Sequence, residues 1–576
     1  MLNYAMAAVF SFTGPTVVGL RLTVALLGIA GVAACYAWAR PWYGPRVALI
    51  AAALMAGSAW HIFLSRFGVR AILLPIFEPL LCLALWHAIT RRSWTAFLAL
   101  GLLGGLSAYT YLPIRLFPAV LVVCAAVALR RTGGVDRHAA ASFAAAGAIA
   151  LLVVAPLTVH FIQNPADLNQ RVGQVSLLSG RDAAWDVTVS TLRTLGMFTW
   201  RGDEFPFTNV PGRPVFDPLL SVFTLLGLAV CIIRARRGPY LVLLIWLTIM
   251  VIPGVLTVGA PNSQRTAGLM PAIYLLPALG ISTATAWLIR RARGRAAGLV
   301  PIARLLPAIA IAVGSALAVK AYFWDLTLEP RIMEWYETEV VALAHHARAL
   351  PPDTPVFGVF GDLPDVARNE LTHNTLDFVS GRRIPAYGPE LIPLPAARGK
   401  PAIYLSTAGF EVPWESILQG VQRTTVPDPV GGRLAFMIQG AAPPESAVPL
   451  ARWSNGLTLR RATLGQTTDG KNALVLVFDP ADRPINGRLH VSIVDATGRE
   501  RDLTRYSMRG AHCPPGQCPG VAALARIATV PSLARSAPPP YTARLSFVAE
   551  DGATVDAIDD HGQRVDQWLR ALQWGT

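Results

Sequence analysis

Apolar runs alternate with short clusters of arginine through residues 1–325, and this alternation limits the possible folds more than any other feature of the sequence. A helix needs about 20 consecutive apolar residues to cross the hydrocarbon core of a bilayer. Ten runs meet or approach this length, at residues 17–38, 47–64, 71–89, 94–112, 114–129, 139–161, 215–233, 240–256, 267–289 and 299–322. We therefore predict a polytopic α-helical membrane domain over residues 1–325, with about ten spans.

The composition supports a membrane protein and argues against a nucleic-acid-binding protein. Only 15% of the 576 residues are charged, and the mean hydropathy of +0.45 is too high for an ordinary soluble domain of this size. Much of the net charge of +15 comes from clusters between apolar runs, where basic residues set membrane orientation. The sequence has no basic face interleaved with aromatic residues, so we exclude nucleic acid as a partner.

Five basic clusters predict the orientation because they occupy alternate connections between spans. They are Arg40 with Arg46, Arg91 with Arg92, Arg130 with Arg131 and Arg137, Arg234 with Arg236 and Arg237, and Arg290 with Arg291, Arg293 and Arg295. Basic connections stay cytoplasmic, so the connections at 65–70, 112–114, 162–213 and 257–266 and the C-terminal region are predicted to face outward. The start of the chain must then also lie outside. Because residues 2–13 are too short to span, we expect that a first span and the loop behind it are missing from this sequence.

The outward connection at 162–213 is too long to be a simple turn. Trp185, Val189, Leu192 and Leu195 recur at helical spacing within it, which predicts a helix lying in the membrane interface. Asp203 and Glu204 are its only adjacent acids, and a carboxylate above the membrane could deprotonate an acceptor hydroxyl. The alternative is that both acids belong to a solvated turn.

Four arginines run against the orientation rule on the outward side. They are Arg66, Arg70, Arg115 and Arg265. Guanidinium groups around an outward cavity would suit a phosphate, although each could instead extend to lipid headgroups. Glu78 lies near the middle of a span, where it must be neutral, paired or in contact with a wet cavity. Tyr109 and Tyr111 fit an aromatic belt as well as they fit sugar stacking.

After Asp325 the pattern becomes that of a water-soluble protein. We predict an extracytoplasmic α/β region at 326–448 and a β-sandwich-like domain at 449–576, with no recognisable catalytic motif. Cys513 and Cys518 favour a small disulfide loop over a metal site, because only His512 is available nearby as a further ligand. Cys35, Cys82, Cys124 and Cys231 lie in apolar runs and are interpreted as packing residues.

Short strings in residues 1–325 resemble the protein mannosyltransferase and aminoarabinose transferase group of membrane glycosyltransferases (glycosyltransferase family 39-like). They are residues 12–22 (FTGPTVVGLRL), 43–54 (YGPRVALIAAAL), 58–66 (SAWHIFLSR) and 109–115 (YTYLPIR), together with the segment from Arg201-Gly-Asp to Asp217-Pro218. The resemblance implies a GT-C fold and an inverting enzyme that takes a sugar from a polyprenyl-phosphate donor. It also implies a catalytic acid on a first outer loop, which this sequence lacks.

Carried over to this chain, the resemblance makes Arg66, Arg115 and Arg265 candidates for contact with the donor phosphate, and we add Arg70 from its position. Candidates for acceptor or loop contacts are Arg201, Arg213, Tyr109 and Tyr111. Asp203 and Glu204 are the candidate catalytic acids. No metal ligand is assigned, and a divalent metal ion is the one cofactor considered.

The leading hypothesis is therefore a multi-pass glycosyltransferase of the cell membrane. Its partners would be the lipid-linked sugar donor, membrane lipids, and a protein, lipid or glycan acceptor that the outer domain helps to recognise. Two alternatives remain from other classes, namely a transporter or flippase of lipid-linked glycans and a catalytically inactive scaffold. A transporter should show repeated halves with broken helices in matching positions, and the sequence shows no such repeat.

Overall fold

A computed structural model of the chain forms two compact units, Met1–Trp335 and Tyr336–Thr576. It describes residues 1–134, 137–165, 176–177, 182–295, 297–329, 332–360, 374–387, 391–395, 401–407, 412–427, 435–442, 449–466, 472–479, 488–494, 500–507, 521–530, 541–549, 553–558, 563–565 and 568–572. The predicted boundaries at 325/326 and 448/449 stay predictions.

The first unit is helical. Its helices are α1 (Leu2–Thr13), α2 (Val17–Tyr43), α3 (Pro45–Ala56), α4 (Ala59–Phe67), α5 (Leu74–Arg91), α6 (Trp94–Ser107), α7 (Phe117–Thr132), α8 (Arg137–Gln163), α9 (Ala183–Gly196), α10 (Pro218–Ile233), α11 (Gly238–Met250), α12 (Ile252–Val255), α13 (Leu275–Arg295), α14 (Val300–Lys320) and α15 (Ile332–Trp335). Single 3₁₀ turns precede several of them, including Arg70–Leu73 before α5 and Leu112–Leu116 before α7.

Within the described residues, seven helices are long and apolar enough to cross a membrane. They are Val17–Tyr43, Arg70–Arg91, Leu112–Thr132, Ala139–Gln163, Gly238–Val255, Ala272–Arg293 and Val300–Leu328. The pair α3 and α4, bent by 58°, would make an eighth span. The other two predicted spans correspond to the shorter apolar helices α6 and α10. The polytopic helical fold predicted from the sequence is therefore confirmed.

Large aromatic side chains hold the spans together. Trp38 of α2 and Phe117 of α7 both contact the ring of Trp246 on α11, with ring centroids 4.7 and 4.8 Å apart. Trp42 of α2 lies 4.7 Å from Trp86 of α5 in the same way. Because lipid tails are as apolar as these side chains, close packing of the rings, and not exclusion of water, stabilises the bundle.

Glu78 of α5 is fully buried in this bundle. Neither of its carboxyl oxygens has a hydrogen-bond partner among the described residues. The space beside the carboxyl group is narrow, because a Cβ at Gly268 would lie 2.9 Å from Oε1. Glu78 was predicted to be neutral, paired or in contact with a wet cavity. Within the part of the chain that the structure describes, it has neither an ion pair nor a wet cavity.

The second unit combines helices with β-sheets in its described residues. Its helices are α16 (Thr338–Ala349) and α17 (Trp414–Ile417). Its strands are β1 (Val356–Val359), β2 (Ala386–Tyr387), β3 (Leu391–Pro395), β4 (Ala402–Thr407), β5 (Gln419–Val426), β6 (Ala435–Ala441), β7 (Ala451–Trp453), β8 (Thr458–Gln466), β9 (Asn472–Phe478), β10 (Arg488–Val494), β11 (Glu500–Ser507), β12 (Val521–Val530), β13 (Tyr541–Val548), β14 (Thr554–Val555), β15 (Ala557–Ile558), β16 (Arg564–Val565) and β17 (Trp568–Leu572).

The first sheet has the strand order β2-β1-β4-β6-β5, in which β1 is parallel to β2 and β4 while β6 is antiparallel to β4 and β5. The described strands after residue 449 form antiparallel sheets, ordered β16-β15-β7-β8-β9-β12-β3 and β11-β10-β13-β14, with β17 paired to β13. The predicted change from α/β to all-β character is present. Strand β3 from the first region pairs with β12 of the second, so the two regions share a sheet. The sandwich arrangement of these sheets stays a prediction.

Candidate functional site

Helix α9 occupies the long connection in which the sequence predicted an interfacial helix. Its small polar residues Ser190 and Thr194 are buried, and the Ser190 hydroxyl donates a 2.7 Å hydrogen bond to the carbonyl of Val255. Trp185 and Leu192, on the opposite side, are each 68% exposed. The helix therefore turns its polar face to the protein and its apolar face away from it, which is the arrangement expected of a helix in contact with lipid.

The segment after α9, residues 202–213, folds back on itself as a tight loop. The amide of Gly202 donates a hydrogen bond to the carbonyl of Gly212, and the amide of Gly212 donates one to the carbonyl of Asp203. Both N···O distances are 3.0 Å. A side chain is excluded at Gly202, because its Cβ would lie 1.9 Å from the carbonyl oxygen of Arg213. This close approach fixes the backbone on either side of Arg201 and Asp203.

Asp203 holds this loop in place through its carboxylate. Its carboxylate is completely buried and accepts hydrogen bonds from the Thr208 hydroxyl at 2.9 Å, the Ser263 amide at 2.7 Å and the Phe205 amide at 3.0 Å. Burial raises the pKa of Asp203, and the hydrogen bonds from Ser263, Phe205 and Thr208 oppose that rise. Both oxygens are therefore committed to holding residues 202–213 against the 257–266 connection.

A pocket of about 530 Å³ opens beside this loop. It is lined by Leu192, Arg193, Gly196, Trp200, Arg201, Gly202, Glu204, Ala260 and Pro261. The volume is within the usual range for small-molecule sites, which is roughly 300 to 1,000 Å³. Two guanidinium groups and one carboxylate thus meet apolar side chains, and the pocket adjoins the exposed face of α9. Such a site could take an anionic headgroup from the lipid side.

Glu204 supplies the carboxylate of this pocket. Nε and Nη2 of Arg201 both lie 2.9 Å from its Oε1 atom, and the Glu204 side chain remains 45% exposed. No group that the structure describes forms a hydrogen bond with Oε2. Of the two adjacent acids, Glu204 can therefore reach a ligand, whereas Asp203 is enclosed.

The four arginines proposed for donor phosphate lie outside the lining of this pocket. The Arg66 guanidinium lies over the ring of Tyr322, at 5.0 Å, and that of Arg115 over Phe161, at 5.6 Å. Arg265 donates a hydrogen bond through Nη1 to the carbonyl of Val258, which stabilises the connection that contains Ala260 and Pro261. Arg70 is exposed and begins the 3₁₀ turn before α5, and the other residues of that turn are buried. Their assigned role stays a prediction.

The remaining acceptor candidates are dispersed. Arg201 lines the pocket, whereas Tyr109 donates a 2.9 Å hydrogen bond to the carbonyl of Val153 and Tyr111 packs against the helical core. Arg213 lines a separate, water-sized cavity with Ser58, Asp217 and Tyr274. Burial lowers the pKa of Arg213, and Asp217 and Asp325 oppose this effect.

Sequence reasoning missed Arg193, Trp200 and Pro261 as pocket residues. The spacing between Arg193 and Arg201 carries no signal of a shared pocket. The pocket forms because residues 202–213 fold back on themselves after α9 and the 257–266 connection is hydrogen-bonded to them, from the Ser263 amide to the Asp203 carboxylate. No local pattern in the sequence encodes that joining.

In the described part of the chain, no three His, Cys, Asp or Glu side chains group together to hold a metal ion. Cys513 and Cys518 lie outside the described residues. Cys35, Cys82, Cys124 and Cys231 are free and buried, in agreement with their interpretation as packing residues.

Residues 1–160 match the sequence model of the family described as dolichyl-phosphate-mannose-protein mannosyltransferase. The match covers the first part of the chain, from α1 into α8. The match confirms the predicted resemblance to the GT-C group over this part of the chain. No curated protein matches the sequence.

The solved structures that match the chain include two of ArnT from Cupriavidus metallidurans. One is the apo state and the other is bound to undecaprenyl phosphate. Each is 14% identical to this chain and covers 76% of it, with a TM-score of 0.45. The matched regions cover 86% of the apo chain and 87% of the lipid-bound chain.

Proposed function

We propose that this protein transfers a sugar from a polyprenyl-phosphate-linked donor to an acceptor on the outer face of the membrane. The family match supports a donor of this class, since its description names a sugar carried on dolichyl phosphate. The observation that carries the proposal for the site is the pocket that joins Arg193, Arg201 and Glu204 beside the exposed apolar face of α9.

Arg193 and Arg201 are assigned to the donor phosphate. A guanidinium group presents donors in a planar fork that matches phosphate oxygens, and two such forks at one pocket can compensate its charge. Leu192 and Trp200 border the same pocket on the exposed face. A lipid-linked donor could therefore enter sideways from the outer leaflet, with its isoprenoid chain remaining in the membrane.

Glu204 is assigned as the general base. The acceptor hydroxyl attacks the anomeric carbon of the sugar, the bond from that carbon to the phosphate oxygen breaks, and polyprenyl phosphate leaves with the bonding electrons. The acceptor proton passes to Oε2 of Glu204. Arg201 holds Oε1 and so orients the carboxylate. Attack from the side opposite the phosphate inverts the anomeric configuration.

A divalent metal ion has no place in this scheme. Both oxygens of Asp203 already accept hydrogen bonds, which leaves Glu204 as the single carboxylate available among the residues that line the pocket. One carboxylate paired with an arginine is a poor site for a hard cation, which prefers several oxygen ligands. We therefore derive no step through a metal.

The test is sugar transfer in membranes that contain the full chain, with radiolabelled undecaprenyl-phosphate mannose or aminoarabinose as donor. We expect Glu204→Gln to lower kcat by about 100-fold or more, as loss of a general base does. Arg193→Gln should raise KM for the donor by about tenfold, as loss of a charge-assisted hydrogen bond does.

The matched control is Arg236→Gln, which removes an exposed arginine from a cytoplasmic cluster and should leave both constants unchanged. Absence of transfer by the unaltered protein with every donor would overturn the proposal. Movement of an intact lipid-linked sugar across proteoliposomes, without transfer, would instead favour the transport alternative.

A further inference from the structure

A second opening lies within the membrane-spanning helices, away from the proposed active site. It is an apolar groove of about 350 Å³ whose lining includes Leu81, Gly101, Gly104, Pro118, Val122 and Gly147. These residues belong to α5, α6, α7 and α8, and none of them lines the pocket of Arg193 and Arg201. The groove is therefore a separate feature of the bundle.

The glycines of this groove differ in what they do. A Cβ at Gly101 would lie 2.5 Å from the carbonyl oxygen of Ala146, so Gly101 is needed for contact between α6 and α8. In contrast, a Cβ at Gly147 would meet no atom within 4 Å, and one at Gly104 would meet only Ala150, at 3.8 Å. These two glycines leave open space that helix packing does not require.

A charged residue, Arg115, precedes the groove residues of α7 at the outer end of this helix. Arg115 lies three residues before Pro118, and Arg115, Pro118, Val122 and Ala125 follow one face of the 3₁₀ turn and the helix. Its side chain is exposed, with the guanidinium over the ring of Phe161 at the outer end of α8. An apolar groove inside a membrane with a cation above it complements one kind of molecule, a lipid with a negatively charged headgroup.

We propose that this groove binds one acyl chain of an anionic glycerophospholipid of the outer leaflet, with the lipid phosphate at Arg115. The acyl chain gains no hydrophobic energy from leaving the bilayer, so selectivity comes from close packing over Gly104 and Gly147 and from the charge of Arg115. A phospholipid is chosen over the sugar donor because the groove shares no residue with the donor pocket. This choice rests on the proposed donor pocket, whereas binding of a phospholipid does not itself require sugar transfer.

The test is native mass spectrometry of the full chain in mild detergent with added phosphatidylglycerol. We expect a defined phosphatidylglycerol adduct, and about tenfold weaker binding after Arg115→Gln, as loss of a charge-assisted contact with phosphate implies. Gly147→Leu should fill the groove and weaken binding to a similar degree. Neither substitution opposes folding, since Arg115 is exposed and leucine favours a helix more than glycine does.

The matched controls are Ala148→Leu, at the exposed neighbouring residue of α8 that does not line the groove, and Arg236→Gln. Both should bind phosphatidylglycerol as the unaltered protein does. Equal binding of phosphatidylcholine would overturn the role of the negative charge. Equal loss in the controls, or displacement by undecaprenyl phosphate at lower concentration than by phosphatidylglycerol, would overturn the proposal.

Discussion

Asp203 and Glu204 are adjacent in the chain but differ in exposure and in the hydrogen bonds that their carboxylates accept. The first has a buried carboxylate with three hydrogen-bond donors, whereas the second has an exposed one with Oε1 bound to Arg201. Sequence reasoning could place an acid at this turn but could not choose between the two. The choice depends on Ser263, which lies 60 residues farther along the chain.

The two roles predict opposite effects for amide substitutions. Asp203→Asn removes a charge and one acceptor oxygen, so a buried donor loses its partner and stability falls by about 1–3 kcal/mol. Glu204→Gln should leave the thermal midpoint unchanged while lowering kcat by about 100-fold or more. The measurement is thermal unfolding in detergent, with transfer normalised to folded protein. A stable but inactive Asp203→Asn protein would reverse the assignment and make Asp203 the base.

At the scale of elements, periodicity predicted what local spacing encodes. The positions of Trp185 and Leu192 predicted α9 and its apolar face, and the length of each apolar run predicted the spans. The same count predicted one span over residues 47–64 and carried no information on its shape, and the structure bends this segment by 58° between α3 and α4. The bend places Ser58 where its hydroxyl meets that of Tyr274, at 2.7 Å, and such a contact leaves no local signal in the sequence.

Substitution of two pocket-lining glycines tests whether the pocket depends on the loop at residues 202–213. Gly202→Ala would force a Cβ against the carbonyl of Arg213, at 1.9 Å, so we expect a loss of about 1–3 kcal/mol as in overpacked cores, together with loss of transfer. Gly196→Ala is the control, because its nearest contact would be Trp200 at 4.0 Å. It should gain up to about 1 kcal/mol from helix propensity.

Both glycine variants are compared by thermal unfolding and by donor KM. If Gly202→Ala kept normal stability and transfer, the close approach of residues 202 and 213 would be irrelevant to the pocket. If Gly196→Ala lost transfer without losing stability, the pocket would be less tolerant of added volume at α9 than its open space indicates.

At the scale of the whole molecule, the sequence was most informative about the membrane unit, because solvation by lipid imposes a strict length and composition on each span. The second unit was predicted less fully. Strand β3 joins β12 across more than a hundred residues, and no alternation within residues 391–395 identifies its partner. Its predicted position outside the membrane rests on the arginine clusters alone.

That position can be measured by labelling single cysteines in intact cells with a membrane-impermeant maleimide. Ser454→Cys probes an exposed turn of the second unit and Thr188→Cys an exposed position on α9, whereas Arg236→Cys probes a basic connection. The background protein carries serine at Cys513 and Cys518, while the buried Cys35, Cys82, Cys124 and Cys231 are retained. Because basic connections stay in the cytoplasm, we expect labelling at 454 and 188 before lysis, and at 236 only after lysis. Labelling at 236 alone in intact cells would invert the topology and move the pocket of Arg193, Arg201 and Glu204 away from the outer leaflet.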